Sequence, residues 1–263
     1  MADPGADAEP AALLRESREG TSAILTLDRP SRRNALSVAM RTALIEAFER
    51  IEADRTVASV VITGAAGNFC SGGDLSEMDV ADIAAGRERF RNTHKLVRLM
   101  VGGAKPVIAA VEGFAAGAGL SLACLCDTVV AGESACFVAG FGKVGLIADL
   151  ALLHTLPRRV GEGRARQILL YGERMAAAAA LRIGLADEVV PAGSALDAAL
   201  ARARMAAEQA PLPVALTRAF LAQGLNAALE REREMQTMLF LSADHAEGKE
   251  AFLARRAPRF KGE

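Results

Sequence analysis

The chain of 263 residues is 51% hydrophobic and 24% charged, enough apolar side chain to bury one sizeable core. A formal charge of −1 gives no electrostatic footprint for a nucleic acid or an anionic membrane surface. Cys70, Cys124, Cys126 and Cys136 show neither CxxC spacing nor a histidine cluster, so neither a zinc site nor a disulfide is expected, and reduced thiols point to the cytoplasm.

Residues 1–12 (MADPGADAEPAA) lack the positive and apolar segments of a secretory signal and read as a disordered tail. Thr21–Asp28 has strand character and stops at Arg29-Pro30, where proline removes a ladder donor. Ser37 is placed to cap a helix in which Val38, Leu44, Ile45, Phe48 and Ile51 recur at helical spacing. Val57–Thr63 reads as a buried strand running into a glycine-rich loop, Phe69-Cys70-Ser71-Gly72-Gly73-Asp74-Leu75. A helix from about Asp82 to Met100 follows. Next come a strand at Val107–Val111, a second glycine-rich loop, Glu112-Gly113-Phe114-Ala115-Ala116-Gly117-Ala118-Gly119, a helix from Ala118 to about Cys126 and a strand at Thr128–Ala131. Strand, loop and helix in succession predict an α/β core with mainly parallel pairing.

Val107 to Cys126 nears membrane-spanning length, but Glu112 and four glycines interrupt it, and a buried strand, tight loop and buried helix explain it better. Beyond Leu150 alanine and leucine dominate. Ser194–Gln209 predicts a helix broken by Pro211 and Pro213, and two further helices fill 214–256. The domain reading is a tail at 1–12, a core at 13–200 and a helical region at 201–263 that covers the site or mediates oligomer contacts.

Each glycine loop follows an aliphatic run and precedes a helix, so each can present bare backbone N–H groups. Two such donors facing one another would hold a developing oxyanion. Small residues there let a ligand carbonyl approach the backbone closely.

Several segments, in order along residues 20–262, resemble the enoyl-CoA hydratase/isomerase (crotonase) superfamily. They are Arg29-Pro30-Ser31-Arg32-Arg33-Asn34-Ala35-Leu36, the two glycine loops, Lys143-Val144-Gly145-Leu146-Ile147-Ala148-Asp149, Leu156-Pro157-Arg158-Arg159-Val160-Gly161, Gly184-Leu185-Ala186-Asp187-Glu188-Val189-Val190-Pro191 and Glu247-Gly248-Lys249-Glu250-Ala251-Phe252. The resemblance implies repeated ββα units in two roughly perpendicular sheets, a C-terminal helical trimerisation region, homotrimers that often pair into hexamers, and an acyl-CoA thioester as ligand. It implies no separate cofactor, since coenzyme A arrives on the substrate. Gly73 and Ala118 fall at the oxyanion donors. Arg32, Arg33, Ala35, Ser71, Asp74 and Leu75 fall at the coenzyme A site, which Phe260 and Lys261 would complete, in this subunit or a neighbouring one.

In the resembling hydratases two glutamates hold the added water; their positions are Ser121 and Phe141 here. Asp149 occupies the place of the catalytic acid of the family's isomerases, including Δ3,Δ2-enoyl-CoA, dienoyl-CoA and ring-opening phenylacetate-pathway isomerases. One carboxylate can take a proton from C2 and return it at C4 without water. An Asp before a leucine-rich helix is also a common N-cap. Three readings stay open: an isomerase using Asp149, a hydratase in the loose family sense, and a protein that only binds CoA esters. His154, a turn beyond Asp149, is either a pocket residue or a packed histidine. Ser121 is available to orient a substrate, and Glu112 to hold backbone groups near the second loop.

Overall fold

The computed structural model describes residues 12–263, so the tail expected at 1–12 lies, Ala12 apart, outside the described residues. Six strands form the main sheet in the order β1-β2-β3-β4-β6-β9: β1 (Leu14–Glu19), β2 (Ser22–Leu27), β3 (Ser59–Gly64), β4 (Val107–Val111), β6 (Thr128–Gly132) and β9 (Glu188–Val190). Only β1 runs antiparallel to its neighbour. A second sheet of three short strands, β5 (Phe114–Ala116), β7 (Cys136–Val138) and β8 (Met175–Ala176), stands beside it. β4 passes to β5, and β6 to β7, through a few residues that change sheets. At the first corner Gly113 has φ +54°, and an added Cβ would lie 2.3 Å from the Gly67 carbonyl oxygen, so only glycine fits.

Period-two patterning decides what covers the main sheet. Ile24, Val61, Ile108, Ala110 and Val130 face α6 (Ala195–Ala207), whose Ala195, Ala199 and Ala203 recur every fourth residue and let the helix lie close. Leu25, Leu27, Val60, Ile62, Ala109, Val111 and Val129 face the larger core under α1 (Val38–Ala53), α2 (Ile83–Gly102) and α3 (Ala118–Cys124). The Ser37 hydroxyl accepts the Met40 amide, as predicted, and the Asp82 carboxylate accepts the Ala85 amide and so caps the helix expected to start about there.

After α4 (Leu152–Tyr171), kinked at Gly161, and α5 (Ala177–Arg182), the chain crosses through β9 and α6 into three helices. These are α7 (Pro211–Leu221), α8 (Leu225–Phe240) and α9 (Ala243–Leu253), where two had been expected. Pro211 does not merely stop α6; it occupies the first turn of α7, where its fixed φ and missing N–H cost nothing. Gly224 (φ +83°) and Ser242 then separate the remaining two. The expected boundary at 200/201 falls inside α6. Among the described residues no helix is long and apolar enough to cross a membrane, and all four cysteines are free thiols.

The packing of α3 against the first glycine loop has no slack: a Cβ on Gly119 would sit 2.2 Å from the Cys70 carbonyl oxygen, a backbone atom that cannot swing aside. Gly119→Ala is therefore expected to cost about 2–4 kcal/mol, lowering the midpoint of thermal unfolding followed by circular dichroism by roughly 5–15 °C. An unchanged midpoint would show that the two loops are not held in this register.

Candidate active site

The first glycine loop is zipped to the second. The Phe69 amide donates to the Glu112 carbonyl at 2.8 Å, Cys70 to Phe114 at 2.9 Å, and Ala116 back to Cys70 at 3.0 Å. Beyond this ladder both strands turn sharply on glycine, Gly72 at φ +121° and Gly117 at φ +51°, conformations that L side chains rarely adopt. The Gly72 Cα lies 3.8 Å from where a Cβ of Gly117 would stand, so the turns touch. The next amide on each side, Gly73 and Ala118, donates no hydrogen bond to any described residue. Two neighbouring amides left free where two turns meet form a binding site for a carbonyl oxygen, at no later reorganisation cost. The Met78 methyl group lies against Gly73 and begins an apolar wall with Phe90, Leu146 and Phe240.

The Arg29–Leu36 loop is tied to the same place by one buried amide. Asn34 accepts from the Arg29 amide at 2.9 Å and donates to the carbonyls of Ala65 and Asn68 at 2.9 and 2.6 Å. Leu36 donates to Gly72 at 2.8 Å, and Ser71 donates to Arg33 through its amide and to Arg32 through its hydroxyl, both at 3.0 Å. Arg32, Arg33, Ala35, Ser71, Asp74 and Leu75 are thus brought together, the two arginines exposed and the Ser71 carbonyl without a donor. The Asp74 carboxylate is already taken by Arg29 at 2.5 Å and by the Ser76 amide and hydroxyl at 3.0 and 2.6 Å, so that side chain fastens the loop. Phe260 and Lys261 are not joined to this group by any hydrogen bond; the tail that carries them binds Asp244 and Glu247 of α9.

Asp149 stands between the 3-10 turn Phe141–Val144 and α4, and it is not an N-cap. That position belongs to Ala151, which makes no side-chain cap bond, and the Asp149 Oδ1 is shielded with no hydrogen-bond partner. Two residues of α8, one turn apart, hold its loop. Gln236 accepts from the Ile147 amide at 3.1 Å and donates to the Ile147 carbonyl at 2.9 Å, while Glu232 accepts from the Ala151 amide at 2.8 Å. Leu150 and Ala151 sit at φ +51° and +58°, the left-handed region, at roughly 1 kcal/mol each, which the Glu232 bond offsets. On its other side Glu232 meets His94 of α2 at 2.9 Å, both buried.

Burial pushes the Asp149 carboxyl up to about 7, with the neighbouring Glu232 carboxyl adding to the rise and Arg41, Arg89 and His94 opposing it. Burial likewise raises Glu232 to about 8 and lowers His94 to about 4, so near neutrality their hydrogen bond joins largely uncharged partners. Asp149 alone of the group combines an unpartnered oxygen with a proton that moves near pH 7.

Among the described residues no cluster of His, Cys, Asp or Glu is placed to hold a metal ion. Ser121 is wholly buried in α3 with its hydroxyl on the Gly117 carbonyl at 3.3 Å, and Phe141 packs against the main core. His154 is buried against Gly224 at the α7–α8 turn. Glu112 bonds backbone, though not of the second loop as expected: it accepts from the amides of Gly193 and Ala195 at 2.9 and 3.2 Å and so caps α6. Sequence reading missed Glu232, Gln236, His94, Arg41 and Arg89; the available signal was polar residues on otherwise apolar helix faces, Glu232 and Gln236 at i and i+4.

Comparison with known proteins agrees with this geometry. The profile of the family described as enoyl-CoA hydratase/isomerase matches residues 17–263. This chain belongs to the enoyl-CoA hydratase/isomerase family. Two curated relatives from Escherichia coli K12 are each 38% identical: a 1,2-epoxyphenylacetyl-CoA isomerase, matched over 90% of this chain and 94% of its own length, and a 2,3-dehydroadipyl-CoA hydratase, over 94% and 97%. Among solved structures, an enoyl-CoA hydratase from Mycobacterium avium subsp. paratuberculosis K-10 superposes with a TM-score of 0.85 at 34% identity, covering 96% of this chain and all of that one. An enoyl-CoA hydratase/isomerase from Pseudoalteromonas atlantica T6c gives 0.86 at 29%, covering 95% and 100%. The fold is therefore the crotonase fold, and the chemistry of the family is that of acyl-CoA hydratases and isomerases.

Asp149 and Glu232 both hold protons to higher pH folded than unfolded, so their contribution to stability is complete below about pH 4 and is lost as pH rises through 7 to 8. Asp149→Asn, which cannot ionise, is expected to unfold a few degrees above the unsubstituted chain at pH 8, with the gain disappearing by pH 4. Thermal unfolding at the two pH values checks this; a gain equal at both would exclude ionisation as its source.

Proposed function

We propose that this family member is an enoyl-CoA isomerase that shifts a double bond through an enolate, with Asp149 as the acid and base. The observation that carries the reading is a single unpartnered carboxyl, titrating near 7, on a loop whose Leu146 packs in one apolar cluster with Met78, the residue against the free Gly73 amide. The positions that hold two glutamates in the resembling hydratases hold Ser121 and Phe141, neither of which activates water at neutral pH.

In the proposed reaction the thioester oxygen of a 3-enoyl-CoA accepts from the amides of Gly73 and Ala118. The Asp149 carboxylate takes a C2 proton, and the C–H electron pair flows into the carbonyl, giving a dienolate whose negative oxygen the two amides stabilise. The protonated Asp149 then returns the proton at C4, leaving the double bond between C2 and C3. A carboxyl with a pKa near 7 suits both halves, since neither its base nor its acid form is scarce. Arg32 and Arg33 are assigned to the phosphates of coenzyme A and the Ser71 carbonyl to its adenine, with Ala35, Asp74 and Leu75 shaping that loop. Phe260 and Lys261 close the nucleotide site, if not on their own subunit then on an adjacent one. Free thiols in all four cysteines support a reducing compartment, the cytoplasm.

The hydratase reading has one observation in its favour: relatives at the same 38% identity include both an isomerase and a hydratase. A trans-3-enoyl-CoA and a trans-2-enoyl-CoA, followed by absorbance and mass, separate the two. Migration without a gain of one water supports the isomerase, whereas a water adduct supports the hydratase. Asp149→Asn is expected to lower kcat by about 10²–10⁴-fold with CoA-ester binding retained; near-normal turnover in that variant removes Asp149 from the mechanism.

We further propose a homotrimer, of the kind that pairs into hexamers, built on the C-terminal helices. On α7 Leu212, Leu216 and Phe220 recur every fourth residue as an exposed apolar stripe, joined by Phe252 and Leu253 on α9. Sedimentation is expected to give a species of three or six chains, and Leu216→Asp with Phe220→Asp a monomer. A monomeric unsubstituted chain would refute the assignment.

A further inference from the structure

Arginine seldom lies on the buried face of a helix unless an anion meets it there. The chain follows that rule twice: buried Arg218 meets the Asp127 carboxylate at 3.0 Å as well as backbone carbonyls, and Arg29 meets Asp74 at 2.5 Å. It breaks the rule at the active site. Arg41, between Met40 and Leu44 on the core face of α1, is 9% exposed, and among the described residues its guanidinium makes one hydrogen bond, a long one of 3.3 Å to the Leu36 carbonyl. Arg89, one residue before buried Phe90 on α2, donates to the Glu77 carbonyl at 2.8 Å, and its guanidinium lies 5.6 Å from the centre of the Phe240 ring. Among the described residues neither has a carboxylate within ion-pairing distance.

Both guanidiniums lie around the space where an acyl group would run. The Leu36 carbonyl that receives Arg41 also receives the Asp74 amide, next to Gly73. The apolar wall that starts with Met78 at Gly73 continues through Phe90 and Leu146 to Phe240, the ring beneath Arg89. The two cations repel one another, and both are drawn to Asp149 and Glu77. These carboxyls balance them only in part: Glu77 is within ion-pairing distance of neither guanidinium, being held by the Val38 amide at 2.6 Å, and Asp149 is half protonated near neutrality. Glu232 is spent on the Ala151 amide and His94. The site therefore holds two positive charges in apolar surroundings with a deficit of negative charge, an arrangement a bound anion relieves.

We propose that Arg41 and Arg89 form a subsite for a carboxylate at the far end of the acyl chain, so that the preferred substrates are CoA esters of dicarboxylic acids. The inference rests on the acyl-CoA reading of the site and adds the class of acyl group to it. The apolar wall takes the methylene chain, Arg89 over Phe240 takes the carboxylate, and Arg41 shares it. A guanidinium offers paired donors that match the two carboxylate oxygens.

The test is binding of two saturated, unreactive esters of equal carbon number, adipyl-CoA and hexanoyl-CoA, measured by calorimetry on the unsubstituted chain and on Arg89→Met and Arg41→Met. The unsubstituted chain is expected to prefer adipyl-CoA by about tenfold or more. In each variant the ratio of the two dissociation constants should fall toward one, with Arg89→Lys retaining part of the preference. Should Arg41→Met fail to fold, the partly exposed Arg89 carries the comparison alone. Equal or tighter binding of hexanoyl-CoA by the unsubstituted chain overturns the subsite and leaves the acyl-CoA reading standing. An adipyl preference that survives both substitutions overturns the assignment to these arginines. Binding of neither ester overturns both the acyl-CoA reading and the subsite built on it.

Discussion

Three hydrogen bonds between Phe69–Cys70 and Glu112–Ala116 hold the two glycine loops side by side, and the rest of the site depends on that register. Slipping the pairing by one residue would move Gly72 and Gly117 away from each other and put side chains where backbone now passes. The glycines are therefore set by geometry as much as by chemistry. Gly119 clears the Cys70 carbonyl, Gly113 turns the corner between sheets, and Gly72 and Gly117 take φ values closed to other residues. Once these conditions are met, the amides of Gly73 and Ala118, each directly after its turn glycine, have no acceptor among the described residues, and the Gly72 amide has none either. The donor pair follows from where the ladder stops.

The second requirement is a carboxyl held in place without being neutralised. A surface aspartate would be ionised and solvated; one tied to an arginine would be a poor base. Here α8 anchors the loop on either side of Asp149 through Ile147 and Ala151 and leaves the carboxyl itself unbonded. Holding the backbone rather than the side chain fixes the position of the group and preserves its basicity. The left-handed residues Leu150 and Ala151 are the cost of that arrangement. Glu232 acts twice, fixing the Ala151 amide and, as it ionises toward pH 8, adding its charge to the burial that keeps a proton on Asp149.

How much of this is legible in the sequence follows from the range of each contact. The strands β2, β3, β4 and β6 and the helices α1 and α2 announce themselves by aliphatic runs, helical spacing and the caps Ser37 and Asp82, all local signals. The glycine loops are legible because a sharp turn demands glycine wherever it occurs, and Asp149 because it ends a motif. β1 and the three strands of the small sheet are two to six residues long, and β1 is polar but for Leu14, too short or too exposed to leave a periodic trace. Glu232 and His94 are 138 positions apart, and only the packing of α8 on α2 joins them. Pro211 carries the reverse lesson: a residue that ends one helix can begin another, so a proline alone does not count helices.

The electrostatics of the site tie its parts to one dielectric argument. Burial raises Asp149 and Glu232 and lowers His94, so two carboxyls that would be charged in water become largely neutral or evenly divided near pH 7, and the imidazole is held neutral. Guanidinium groups cannot take that route, because their pKa lies too high for burial to remove the proton at neutral pH. Arg41 is drawn down only to about 10, so it stays charged where its neighbours do not. A site whose acids can shed their charge and whose bases cannot is left with a positive residue that the fold alone does not satisfy. The apolar wall and the two free amides would suit any enoyl-CoA, but the unpaired guanidiniums distinguish among acyl tails. On the proposed reading that division gives the reaction to backbone amides and one aspartate, and the choice of substrate to side chains from α1 and α2 that the proposed reaction does not require.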